Sequence, residues 1–330
     1  MTNSKSSFSF SNIMRQDWFK ALCLAFLIIL IIVLFLEITD RILFRPKSIF
    51  ARTVSDFESR KNEIKVLFLG QSDMQFAIIP DRLNYSAYNF AAASENFIET
   101  YYKLEHYIND MPKLKIIVLP LNFQSFSSYR ADILQWEYFK YGYISNSDLR
   151  DLYKLKGVVM LREKLLSFCP IVRGIEMIDF MRNIKKLFSN QNIEKTETYK
   201  GYLKYVGSDV TKDSAIKRAT RHFKGHDIFN EDFLLYFEKI LKLCGDNNIK
   251  VFILTLPVTD YYIEQSKQYV DKELFYNKAL NNPQYGKYIS KHLDLLEIYA
   301  NNHDLFLNSD HLNYKGAMKV TDIVAAELSK

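Results

Sequence analysis

The chain has 330 residues and a formal net charge of +6, is 48% hydrophobic, and holds 22 Tyr and 25 Phe. That apolar and aromatic content supplies a large core and excludes a disordered chain, except toward the N-terminus. Lys and Arg are scattered rather than massed, which excludes a nucleic-acid binder and suits a protein near anionic lipids or glycans.

Residues 21–36 contain no charge, no Pro and no Gly. With Trp18 and Phe19 before them and Ile38 after, residues 18–38 reach the roughly 20 residues needed to cross a bilayer core of about 30 Å. A signal peptide would end in a small-x-small cleavage site, and Glu37, Ile38, Thr39, Asp40 and Arg41 offer none, so the segment reads as an uncleaved single-pass transmembrane anchor. A buried soluble helix would show a polar face. Lys5, Arg15 and Lys20 precede the span, and Arg41, Arg45, Lys47 and Arg52 follow it, so the positive-inside count leaves orientation open. The simpler arrangement is a short cytoplasmic tail, residues 1–17, with the large domain extracytoplasmic.

A juxtamembrane segment at 39–62 leads into an expected α/β domain at 63–330. Residues 64–69, 87–90 and 115–119 read as short strands, with apolar residues at helical spacing over 95–109. Phe233, Leu234, Phe237, Ile240 and Leu241 line one side of a helix that ends near Gly245; a buried strand follows at 250–256, before Pro257. The last helix is expected over 314–328. This alternation predicts a mostly parallel sheet with helices on both faces and a ligand site beyond the carboxyl ends of the strands. Residues from about 124 to 230 interrupt the pattern. They are rich in Tyr, Phe, Lys and Ser, with helical pieces at 148–168 and 175–187 and a polar run at 190–198, and read as an insertion able to cap the site. Cys23 lies in the span. Cys169 and Cys244 are too few for a disulfide framework and leave two readings, one bridge in an exported domain or, more simply, two buried thiols.

Two short segments carry the chemistry. Gly70, Gln71, Ser72 and Asp73 follow the first strand, and Asn308, Ser309, Asp310, His311, Leu312 and Asn313 precede the last helix. A serine hydroxyl is a poor nucleophile until an imidazole removes its proton, and this order suits a Ser/His hydrolase or acyltransferase on an α/β sheet. Taken singly, Ser72 reads first as a turn or helix N-cap serine and His311 as an ordinary loop histidine; their combination at the two ends of the α/β pattern raises the catalytic reading of both.

Together these segments resemble the outer blocks of the SGNH (GDSL-like) hydrolases and acyltransferases. The resemblance is to the membrane-anchored branch, with the DltD proteins of teichoic acid D-alanylation and the AlgJ and AlgX proteins of alginate acetylation. Ser72 followed by Ile79 and Pro80 looks like that branch's nucleophile block; His311, Leu312, Asn313 and Gly316 look like its histidine block. The likeness covers roughly residues 60–122 and 231–330. It implies a flavodoxin-like, SGNH-type three-layer sandwich, with Ser72 as nucleophile, His311 as general base, and an oxyanion site built from Ser72 N–H, the backbone at Ala91 and Ala92 (or Ala93), and Asn122. It implies no metal and no cofactor. Its expected partners are the bilayer, a multispanning membrane O-acyltransferase, an acyl donor and a glycan acceptor, so the expected function is O-acylation of a cell-surface polymer.

Three positions depart from the family pattern. Asn308 stands where the triad Asp belongs; it can accept from His311 but brings no negative charge, and Asp310, next to the histidine, points elsewhere in most backbones unless a rearranged loop lets it or Asp304 substitute. No glycine occurs in the stretch from Ala91 to Ser94, and Asn122 matches the side-chain donor block only loosely. Asn308 and the missing glycine sustain one rival, an inactive SGNH-like glycan-binding or scaffold module; a simple esterase that only hydrolyses is a third reading. Elsewhere, His222 and His226 have i, i+4 spacing but no supporting carboxylate, so a structural role is expected. Lys217, Arg218, Arg221, His222, Lys224 and His226 are expected to form a solvated basic face, with phosphate contact as the alternative. Trp136, Tyr138, Tyr141 and Tyr143 are expected in the core rather than stacked on sugars.

Overall fold

The computed structural model describes residues 10–44, 48–131, 135, 137–138, 141–145, 147–148, 174–188, 198–283 and 285–330. In chain order its main elements begin with α1 (Phe10–Leu43), α2 (Ile49–Arg60), β1 (Val66–Phe68), α3 (Ser72–Ala77), β2 (Ala87–Asn89), α4 (Phe97–Tyr107) and β3 (Ile116–Pro120). There follow α5 (Gly174–Phe188), β4 (Thr198–Tyr199), β5 (Tyr202–Leu203), α6 (Lys212–Phe223), α7 (Glu231–Asp246) and β6 (Lys250–Thr255). The chain closes with α8 (Asp260–Ser266), α9 (Lys272–Leu280), β7 (Ile289–Asp294), β8 (Phe306–Asn308), β9 (His311–Leu312) and α10 (Tyr314–Leu328).

The chain divides into two compact units, residues 1–48 with 156–194, and residues 49–155 with 195–330. In the first, Trp18–Leu43 forms a 26-residue apolar stretch of α1, long enough to cross a membrane at roughly 1.5 Å per residue. Within that unit Phe44 and Phe180 pack edge to face at 5.6 Å, joined by Val33, Leu36, Met177 and Ile184. The helix expected at 175–187 is therefore present as α5, and it groups with the N-terminal helix. The helix expected at 148–168, Trp136, most of the polar run at 190–198, and Cys169 lie outside the described residues.

The second unit is an α/β structure. Its sheet has the order β2-β1-β3-β6-β7, and every neighbouring pair is parallel. Val66–Phe68 and Ile117–Pro120 are buried on both faces, as the hydrophobic runs of a doubly covered parallel sheet require. The chain steps from β1 to β2 on one side and then crosses to β3 on the other, so the loops after β1 and β3 open a crevice at the carboxyl end. β7 was not foreseen: Ile289, Ser290, Lys291, His292, Leu293 and Asp294 lack an apolar run because this strand is an edge and mostly half-buried. The expected juxtamembrane segment holds α2, whose Thr53, Val54 and Phe57 are buried, with Phe57 stacked on Phe90 at 4.0 Å.

The loop after β2 rests on buried charge. Lys103 Nζ bonds Glu95 and the Phe90 carbonyl, while Tyr138 Oη donates to Glu95 at 2.7 Å. Tyr138 and Tyr143 are core residues. Cys244 is a buried free thiol, pushed up to about 12 by burial.

Candidate functional site

Gly70 makes the turn after β1. Its φ is +118°, and an added Cβ would lie 2.4 Å from Pro120 Cγ, so only glycine lets this turn pass the end of β3. The turn delivers Ser72 as the first residue of α3, where its N–H has no intrahelical partner.

The histidine arrives from the far end of the chain. β8 and β9 form a short antiparallel hairpin that pairs Asn308 with His311 across Ser309 and Asp310. Thr259 N–H and Oγ1–H both donate to the Ser309 carbonyl, at 3.0 and 2.9 Å, and hold the hairpin tip beside the loop after β6. Asn313 caps α10 by accepting from Lys315 and Gly316 N–H, while its Nδ2 donates to the Gly207 and Asp304 carbonyls, each at 2.8 Å. A Cβ on Gly316 would fall 2.2 Å from the Leu305 carbonyl oxygen. The His-Leu-Asn-x-x-Gly spacing is thus a cap, a clamp and a close helix contact.

These two pieces meet. Ser72 Oγ lies 2.8 Å from His311 Nε2, and Asn308 Oδ1 lies 3.0 Å from His311 Nδ1. Asp310 N–H donates to the same Asn308 Oδ1 at 3.3 Å, which orients the amide with its oxygen toward the imidazole. Nδ1 then carries the proton, and Nε2 is free to accept from the serine.

Asp310 does not point elsewhere: its Oδ1 is 3.4 Å from His311 Nδ1, because the tight hairpin folds the carboxylate back along the imidazole. Nor is Arg218 part of a solvated face. It is 22% exposed and ion-pairs with the 2%-exposed Asp310 through both carboxylate oxygens, with Nη2 2.6 Å from Oδ2. Burial pushes the Asp310 carboxyl up, but the charges of His311 and Arg218 outweigh it and hold it far below the usual carboxylate range. Arg218 Nη2 is also 3.2 Å from His311 Nδ1. A guanidinium only donates, so with Nδ1 protonated this is a charge contact rather than a hydrogen bond. Asp73 adds a second buried carboxyl; burial pushes it up to about 6, against the pull of His311.

Arg218 was discernible in the sequence as one of the residues spaced with Ala215, Ala219 and His222, the buried stripe of α6. His222 on that stripe is buried, bonds Tyr262 Oη through Nδ1 at 2.6 Å, and is pushed down to about 3 by burial, so it is a neutral core group. Lys217, Arg221, Lys224 and His226 are exposed.

The expected oxyanion donors fare unequally. Ala91 N–H is engaged by Asn89 Oδ1 at 3.3 Å and Ala92 N–H by the Gly70 carbonyl at 2.9 Å, so both amides serve the fold. Asn122 is 1% exposed; its Oδ1 accepts from Leu256 N–H at 2.9 Å, which leaves Nδ2 buried without a partner among the described residues. This unpaired buried donor lies just beyond the carboxyl end of β3. No protein-family model and no curated protein matches the chain.

Proposed function

We propose that this is a membrane-anchored, SGNH-like protein with a flavodoxin-like core. In this reading it transfers an acyl group to a cell-surface glycan through an acyl-enzyme on Ser72, with its domain outside the cytoplasm and beside a multispanning membrane O-acyltransferase. The observation that carries the reading is the Ser72 Oγ to His311 Nε2 contact at 2.8 Å, with Asn308 holding Nδ1–H on the other side of the ring. Ser72 Oγ attacks the acyl carbonyl as Nε2 takes its proton. The tetrahedral oxyanion is met by Ser72 N–H and Asn122 Nδ2, and the imidazolium returns the proton to the leaving group. A glycan hydroxyl then repeats the sequence in reverse, its proton passing to His311. Asn308 fixes the tautomer, while the charge it lacks comes only in attenuated form from Asp310, already neutralised by Arg218, so transfer is slow.

The uncharged Asn308 and the engaged amides of Ala91 and Ala92 favour a second reading, a catalytically silent glycan-binding module. Covalent labelling of the full chain in detergent with a fluorophosphonate probe separates the two. Labelling is expected in the wild type, absent in Ser72→Ala and His311→Ala, and roughly tenfold or more faster in Asn308→Asp. A wild type and an Asn308→Asp variant that both stay unlabelled would leave the binding module standing. Product analysis with a glycan acceptor then divides transfer from plain ester hydrolysis.

A further inference from the structure

We propose that α5 is a second membrane-contacting element whose outward strip lies among anionic phospholipids beside the end of α1, an inference that rests on α1 crossing the membrane. Its depth is given by what it packs on. Phe180 meets Phe44, and the same apolar cluster takes in Val33 and Leu36 of α1 with Met177 and Ile184 of α5. Val33 and Leu36 belong to the apolar stretch Trp18–Leu43, which at roughly 1.5 Å per residue is longer than a hydrocarbon core of about 30 Å. A helix packed against the last turns of that stretch stands where acyl chains give way to headgroups.

Met177, Phe180 and Ile184 fall at i, i+3 and i+7 and form the face turned to α1. Ile178, Met181, Arg182 and Lys185 fall at i, i+3, i+4 and i+7 of a neighbouring strip, and all four are exposed, Ile178 by 59% and Met181 by 57%. At the same level of α1, Leu34, Phe35, Ile38 and Ile42 are exposed as well. The medium that surrounds α1 there also meets α5, so lipid covers the Ile178 and Met181 side chains. Arg182 and Lys185 suit this position, because long basic side chains keep their stems with apolar neighbours and reach phosphates with their tips. The strip has two cations and no acidic side chain among the described residues, which favours an anionic surface. A second copy presenting the same strip would bring like charges together.

The test places the photoreactive residue benzoylphenylalanine at Ile178, Met181, Phe35 or Leu274, one position at a time, in the full chain. Each protein is reconstituted in vesicles of equal parts phosphatidylcholine and phosphatidylglycerol, and its crosslinks are identified by mass spectrometry. Phe35 reports on the anchor, and Leu274, an exposed apolar residue of α9, is the reference on the α/β unit. Lipid adducts are expected at Phe35, Ile178 and Met181, well above those at Leu274. At the two α5 positions phosphatidylglycerol should be enriched about fivefold for each basic residue, and Arg182→Gln with Lys185→Gln should remove the enrichment while the adducts remain. Adducts at Phe35 but none at Ile178 or Met181 would overturn the proposal and leave the anchor intact. Crosslinked dimers through Ile178 or Met181 would overturn it in favour of a second copy of the chain. Adducts without phosphatidylglycerol enrichment would overturn the anionic preference, and no adducts at Phe35 would remove the anchor and the α5 contact together.

Discussion

Ser72 is placed by one close contact, Gly70 against Pro120, whereas His311 is placed by side chains drawn from distant parts of the chain. The serine turn leaves β1 for α3 and passes the end of the neighbouring strand β3, so its geometry is set by the sheet and by a residue that can take positive φ. The histidine hairpin has no such scaffold. Thr259, Arg218 and Asn313 hold it from the loop after β6, from α6 and from the cap of α10. A site built this way has a rigid half that one substitution destroys and a distributed half that substitutions loosen by degrees.

The rigid half is the easiest to break. Gly70→Ala combines positive φ with a clash against a proline ring and is expected to cost about 4 kcal/mol or more, read as loss of the cooperative thermal transition. Retention of a near wild-type melting temperature would show that the turn has slack.

The distributed half should yield next. Arg218→Gln leaves the buried Asp310 carboxylate without its cation, at an expected cost of about 3 kcal/mol near neutral pH, lessened by the partial exposure of the arginine. The folded Asp310 carboxyl is held below its unfolded range, so its stabilisation is present above about pH 4 and fades as pH falls further. Denaturant titrations at neutral pH and at pH 3 should therefore show the two proteins converging in acid. A difference independent of pH would locate the role of Arg218 in packing.

Asp73 sharpens the comparison with the smallest effect and the opposite sign. Its carboxyl is raised from 3.8 to about 6 in the fold. The native state thus binds this proton more tightly than the unfolded chain, and stability from this group falls as pH rises from about 4 to 6, then stays level. Asp73→Asn is expected to stabilise by up to about 3 kcal/mol above pH 6 and to have little effect below pH 4, seen in melting curves across that range. Destabilisation at neutral pH would mean that the Met74 N–H and Gln124 contacts of this carboxylate outweigh its burial.

Much of the scaffold was legible because it follows backbone periodicity. The last helix occupies Tyr314–Leu328 as its apolar spacing indicates, and the strands at 66–68, 87–89, 116–120 and 250–255 fall within or within a residue of the expected runs. β7 and α2 escaped notice for opposite reasons. The strand is an edge with a polar sequence, and the helix hid its stripe of Thr53, Val54 and Phe57 in a segment dominated by its position after the anchor.

By itself, then, the sequence determined the long apolar helix, the alternation of strand and helix, and the two segments bearing Ser72 and His311, because each is written in neighbouring residues. Tertiary structure alone decided that Ser72 and His311 meet, that Asp310 turns toward the imidazole and into the grip of Arg218, and that the Ala91 and Ala92 amides are taken. Ser72 and His311 stand 239 positions apart and Arg218 and Asp310 stand 92 apart. Contacts of that span depend on how helices and loops settle around the finished sheet, and no local pattern of residue types encodes them.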